Sequence, residues 1–205
     1  MKIYVLMMAW CVSGLCMPGY AQATDKKINK VVTTLGGQGY KTTEGGFLDL
    51  IEGKEYKLKD ATSNQGSIDL IYVHGEGTGA NFICPSFSGD KIYGKRYRQG
   101  VKKKWKTRNR GRLIAVENNK ANRKAYREIK KESHLKAFCK EAVQTVKRRD
   151  NYDPLLGPGE RIGRLQTGDY IAFQSLSRDI YAIGRIVNIE KGIGGSITVH
   201  WKIAG

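Results

Sequence analysis

Few side chains able to do chemistry occur in this sequence, and they are dispersed. His74, His134 and His200 stand far apart without ligand spacing, and no C-x-x-C pair accompanies them, so no metal site is read. Beyond the first 23 residues only Cys84 and Cys139 remain. A disulfide between them would close a long loop and stabilise the fold by about 4–5 kcal/mol in the chain-entropy description. The competing reading is two buried thiols, because Cys139 falls in a helical apolar stripe and Cys84 ends a strand-like run. Asp150, Asp153 and Glu160 would serve an extracellular polymer hydrolase only if folding gathered them with one another or with the histidines. The cluster His74-Gly75-Glu76-Gly77-Thr78-Gly79 lacks the Gly-Lys-Ser/Thr ending of a phosphate-cradling loop and precedes no helix pattern, so it reads as a turn. With no catalytic signature and no cofactor motif, the sequence favours a non-enzymatic protein.

Charge is better organised than catalysis. The 205 residues carry 36 Lys and Arg against 19 Asp and Glu, a net +17. Residues 91–149 hold 22 of these cations and only four acids (Glu117, Glu128, Glu132 and Glu141), a local +18, while the rest of residues 24–205 sums to −2. Such asymmetry points to a surface that faces a polyanion, with an acidic glycan or envelope surface favoured over nucleic acid. The candidate contacts are Lys102, Lys103, Lys104, Lys106, Arg108, Arg110, Arg112, Arg123, Lys124, Arg127, Lys130 and Lys131. The bland alternative is a set of solvated helix faces. Tyr93, Tyr97 and Trp105 interleave with the cations of residues 91–112, as in proteins that stack single-stranded bases. Aromatic side chains more often anchor a core, and that reading is preferred.

The elements that must position these side chains follow from periodicity. Residues 1–23 read as a signal peptide: Lys2, an apolar run from Ile3 to Val12, and Ala21-Gln22-Ala23 before the cleavage point. Leu15 before Cys16 argues against a lipobox. Removal of that segment would leave no transmembrane stretch and place the mature chain in the periplasm or outside the cell. Residues 24–205 then read as a single α+β domain. Its β-rich half (24–90) has an entry strand, a hairpin of residues 46–51 and 55–58, a helix-like turn, and strands near 67–73 and 80–84. The basic segment 91–149 carries two helices, with Ala121, Ala125 and Ile129 on one face and Leu135, Phe138, Ala142 and Val146 on the next, and Ser133 as the second N-cap. Residues 150–163 read as a loop. Residues 160–205 end in a three-stranded meander in which Ile197, Val199, Trp201 and Ile203 share one face. The expected fold is a mostly antiparallel sheet with two basic helices packed on it.

The order of Gly46-Phe47, Glu55-Tyr56-Lys57-Leu58, Ser67-Ile68-Asp69-Leu70-Ile71-Tyr72, Trp105-Lys106-Thr107-Arg108-Asn109, two helices, Gly168-Asp169-Tyr170-Ile171-Ala172-Phe173, Tyr181-Ala182-Ile183-Gly184-Arg185-Ile186 and Gly195-Ser196-Ile197-Thr198-Val199 resembles a group of secreted or lipid-anchored proteins of Bacteroidota whose function is uncharacterised. The resemblance implies an extracytoplasmic module and carries over no catalytic residue. The pieces at 168–173 and 181–186 are also similar to strands of small PUA-like or SH3-like nucleic-acid-reading barrels, which is the alternative function.

Overall fold

The computed structural model describes residues 25–39, 44–89, 92 and 94–205. The signal-peptide reading of residues 1–23, Lys91 and Tyr93 lie outside the described residues. In chain order the elements are β1 (Asn29–Gly36), β2 (Phe47–Asp49), β3 (Lys54–Tyr56), α1 (Leu58–Ser63), β4 (Leu70–Gly75), β5 (Gly79–Ile83), α2 (Gly94–Tyr97) running into a π turn (Arg98–Lys102), β6 (Gly111–Val116), α3 (Lys120–Glu128), α4 (Glu132–Lys147), β7 (Arg161–Leu165), β8 (Tyr170–Ser175), β9 (Tyr181–Ile189) and β10 (Ser196–Ala204). Two antiparallel five-stranded sheets result, sheet I in the order β1-β10-β9-β8-β6 and sheet II in the order β3-β2-β4-β5-β7.

Strand alternation sorts the apolar side chains into three packed layers. Between the sheets lie Leu35, Leu113, Phe173, Val199 and Trp201 from sheet I against Leu48, Leu70, Tyr72, Phe82 and Ile162 from sheet II. The opposite face of sheet I, with Ile114, Ala172 and Ile183, is covered by Leu135, Phe138, Ala142 and Val146 of α4. The opposite face of sheet II, with Phe47, Ile71 and Ile83, is covered by Ala61 of α1, Tyr97 of α2, Val101 and Trp105. The molecule is therefore layered helix, sheet, sheet, helix. Full burial of a Leu, Ile or Phe is worth about 1.5–3 kcal/mol, so each interface contributes substantially.

Trp201 sits at the centre, on the predicted inward face of the last strand. Its Nε1 donates to the buried Thr33 Oγ1 at 3.0 Å, and its ring meets Phe82 of the other sheet edge-on, with centroids 6.0 Å apart. The cross-strand position opposite it is Gly184, where a Cβ would come within 2.7 Å of Trp201 Cζ3. The indole needs that glycine as its seat.

The α+β class, the 47–56 hairpin and the C-terminal meander agree with the sequence. Five expectations need correction. Cys84 and Cys139 form no disulfide. Cys84 belongs to the core between the sheets and Cys139 to the layer under α4, so sheet I separates them. Residues 111–116 form β6 inside the basic segment, and Arg161–Leu165 form β7 where a loop was expected through residue 163. Ser133 does not cap α4: the cap position is Lys131, without a side-chain cap bond. Ser133 instead donates from its N and Oγ to Asp25, at 2.9 and 2.8 Å. Finally, β8 and β9 are consecutive members of the open order of sheet I and do not form a small barrel.

Candidate polyanion-binding surface

The basic segment is divided by the fold. Lys102, Lys103, Lys104, Lys106 and Arg108 run through and beyond the π turn over sheet II, where Val101 and Trp105 are buried. Trp105 Nε1 donates to Thr62 Oγ1 at 3.0 Å, and its ring packs 5.5 Å from Phe47. Tyr97 lies 4.8 Å from the same ring. Both aromatics are thus anchors of the outer layer, not exposed platforms, while Tyr93 lies outside the described residues. The chain then crosses to sheet I. Buried Asn109 fixes the crossing by donating from Nδ2 to the carbonyls of Gly66 and Ile68, at 2.7 and 2.9 Å. Arg110 pairs with Glu160 at 3.3 Å.

The remaining candidates gather on the other side. Arg112 is on the outer face of β6, since Ile114 and Val116, two and four residues on, pack under the helices. Arg123, Lys124 and Arg127 are exposed on α3, and Lys130 and Lys131 are exposed in the link to α4. The start of α3 is fixed by Asn119, whose side chain accepts from Asn122 N at 2.9 Å. Its end is held by Lys202 of β10, which donates to the carbonyls of Tyr126 and, at 3.1 Å, Ile129. The Lys202 ammonium also lies 4.4 Å from the centre of the Tyr126 ring. A cation at the final carbonyls complements the helix dipole. Burial, and then the like charges of Lys130 and Lys30, pull the Lys202 ammonium below its ordinary pKa.

The α3–α4 link is tied down by residues 25–27. Asp25 pairs with Lys131 at 3.1 Å, Lys26 N donates to Glu132 Oε2 at 3.3 Å, and Lys27 and Lys131 form a β-bridge. The Ser133 hydrogen bonds, with Lys131, hold the Asp25 carboxyl below its usual range. Lys124 has a partner in Glu128 at 3.9 Å. Among the described residues no ion pair joins Arg123, Arg127 or Lys130 to a carboxylate.

The hydrolase residues are not gathered. Asp153 pairs with Arg164 at 2.8 Å and caps Leu155 N. Glu160 accepts from Ser86 Oγ at 2.8 Å and faces Arg110. His74 N is bonded to Gln38 Oε1, His134 Nδ1 sits 3.0 Å from the Glu128 carbonyl, and His200 is exposed on β10. Among the described residues no group of three or more His, Cys, Asp or Glu could hold a metal ion, and no helix is long and apolar enough to cross a membrane.

Sequence reasoning missed one charged cluster. Arg178, in the β8–β9 turn, reaches sheet II and contacts Asp49 at 3.2 Å and Asp69 at 2.9 Å, as well as the Ser67 carbonyl. Asp69 also accepts from Leu50 N at 3.0 Å through Oδ2, while its Oδ1 is buried without a hydrogen-bond partner. Burial dominates and pushes the Asp69 carboxyl up to about 7, against the opposing pull of the Leu50 amide and Arg178. The signal available in sequence was a lone Asp within each of two apolar runs, Leu48-Asp49-Leu50 and Ile68-Asp69-Leu70. The arginine that meets them is 129 and 109 residues away. The cluster clamps the two sheets together at one end.

No family model matches the chain, and no curated protein matches it. Among solved structures it is similar to the crystal structure of a DUF4466 family protein from Parabacteroides merdae ATCC 43184, with a TM-score of 0.51 and 15% identity. The similarity covers 87% of this chain and 54% of that one, so the chain spans about half the length of its structural neighbour. At this identity the likeness is one of fold. The neighbour is a Bacteroidota protein of a family whose function is unknown, in keeping with the coarse resemblance read from the strand motifs.

Proposed function

We propose that this protein is a non-enzymatic, extracytoplasmic α+β module that binds an acidic glycan or another anionic component of the cell envelope through the helical layer over sheet I. The observation that carries the reading is the placement of Arg112, Arg123, Arg127 and Lys130 on that one side, on elements whose apolar side chains pack on sheet I. The signal-like residues 1–23 support a location in the periplasm or outside the cell. Lys102, Lys103, Lys104, Lys106 and Arg108 lie over the opposite sheet, so a partner of limited size docked on α3 and α4 does not reach them. Arg110 is engaged by Glu160. The site is therefore narrower than the list read from sequence. With Tyr97 and Trp105 buried, base stacking has no platform at those rings, and the glycan reading is favoured over nucleic acid.

The test is binding of the chain from residue 24 onward to heparin, polygalacturonate, duplex DNA and neutral dextran across a salt series. Binding to the acidic glycans with a steep salt dependence is expected, with dextran inert. Arg123→Gln with Arg127→Gln should flatten the slope of log affinity against log salt by about two, one for each contact removed. Lys103→Gln, Lys104→Gln and Lys106→Gln together should leave it unchanged. Absence of binding to either acidic glycan at low salt would overturn the reading.

A further inference from the structure

Beside α4 the outer face of sheet I is open, and a pocket of about 380 Å³ lies there. Its floor is a single row of side chains running across three strands. Arg112 on β6 is in register with Gln174 on β8, and Gln174 with Tyr181 on β9. The next row inward, Ile114, Ala172 and Ile183, is covered by the helix. The row is hydrogen-bonded: Gln174 Nε2 donates to Tyr181 Oη at 3.0 Å, and Arg112 donates to Gln174 Oε1 at 3.5 Å. The wall is one face of α4, from which Lys136, Lys140 and Gln144 line the same space.

Three cations line the pocket and no carboxylate does. The nearest acid on the same helix is Glu132, bonded to Lys136 at 2.8 Å, and the Lys136 ammonium rests 5.2 Å from the centre of the Tyr181 ring. Among the described residues neither Arg112 nor Lys140 forms an ion pair with an acid. Because Tyr181 Oη already accepts from Gln174, its own O–H remains to donate. The pocket thus offers a guanidinium fork, two ammonium groups and a phenol, nearly all donors, with Gln144 as an amide able to meet a hydroxyl.

We infer that this pocket is a subsite for one charged sugar unit, taking its carboxylate or sulfate between Arg112, Lys136 and Lys140. The inference rests on the acidic-glycan reading and adds the place where a single residue of the glycan is recognised. The volume is at the lower end of the range for small-ligand sites, enough for one substituted ring and too small for a polymer strand. The α3 cations supply attraction without shape. The pocket adds selectivity, since a bidentate arginine contact is demanding in geometry.

The experiment uses trigalacturonate as the carboxylate probe, a heparin-derived tetrasaccharide as the sulfated probe and maltotriose as the neutral one, each titrated calorimetrically at low salt. Arg112→Gln with Lys140→Gln should weaken the preferred acidic probe by about tenfold or more, as expected for lost charge-assisted hydrogen bonds. Tyr181→Phe, which keeps the ring and removes only the donor, should weaken it by a smaller factor. The Lys103, Lys104 and Lys106 triple variant, which loses one charge more but on the far side, should bind within about twofold of wild type. Thermal melts confirm that each variant is folded. If the Arg112 and Lys140 variant binds the oligosaccharides as wild type does while the α3 variant loses heparin, the subsite is wrong and the broader reading stands. Failure of the wild type to bind heparin or polygalacturonate at low salt overturns both. Equal displacement of the sugar by single-stranded DNA would overturn the assignment to a glycan.

Discussion

Apart from α1, the two outer layers come from the same cation-rich segment and are built by different means. Over sheet I the chain makes a 16-residue helix, α4, whose stripe of Leu135, Phe138, Cys139, Ala142 and Val146 repeats at helical spacing. Over sheet II it makes a four-residue helix, a π turn and an irregular stretch, held by Tyr97, Val101 and Trp105. A regular helix spreads its burial over several modest side chains and leaves a broad face for cations. An irregular segment concentrates its burial in a few large rings, and its lysines flank them. The cations are denser over sheet II, yet it is over sheet I that a regular helix arrays them on one face.

That contrast can be broken most directly by removing anchors. Trp105→Ala should cost about 3–5 kcal/mol, while Leu135→Ala should cost about 2–5 kcal/mol and fall below it, because α4 has other side chains to hold it. Denaturant unfolding checks both, and a larger loss for Leu135 would reverse the comparison. A second effect comes from the clamp between the sheets. Asp69 is raised from 3.8 to about 7 in the folded chain, so folding takes up a proton between those values. The stability it contributes is complete below about pH 4 and is lost as pH rises through about 7. Asp69→Asn should flatten the stability profile across that window, as read from melting temperature against pH. An unchanged profile would mean that Arg178 keeps the carboxylate ionised throughout.

The smallest effect is kinetic and sharpens the comparison of layers. Burial raises both thiols, Cys139 to about 12 and Cys84 further, so alkylation at pH 8 should be slow in the folded protein. Cys139 is expected to react first, because only α4 must lift, whereas Cys84 requires the two sheets to part. Mass spectrometry of a labelling time course reads the order, and equal rates would mean that the layers open together.

Much of the fold was legible because its signals are local. The 47–56 hairpin, the Gly-rich turn between β4 and β5 and the alternation of Ile197, Val199, Trp201 and Ile203 each announce themselves within about ten residues. Strand β6 escaped because Leu113-Ile114-Ala115-Val116 is buried on both faces and so shows no alternation, between a basic stretch and a helical pattern. Strand β7 escaped because it is short, contains Gly163 and pairs at an irregularity. The candidate site was legible as a charge excess but not as a place. Nothing in residues 102–131 tells that Asn109 turns the chain from one sheet to the other, and the row Arg112, Gln174 and Tyr181 is assembled from strands up to 69 positions apart.

The pairing of β1 with β10 also has a consequence in time. The strands of sheet II from β2 to β5 meet neighbours close in sequence, whereas Thr33 and Trp201, which share a hydrogen bond, are separated by 168 positions. Closing so long a loop is costly until both ends have prepared surfaces to receive each other. The β1–β10 pairing is therefore expected to form after the local pairings of sheet II. Among the described strands β1 therefore waits for a partner far along the chain, and until β10 pairs with it the edge that it presents to that strand is open to mispairing.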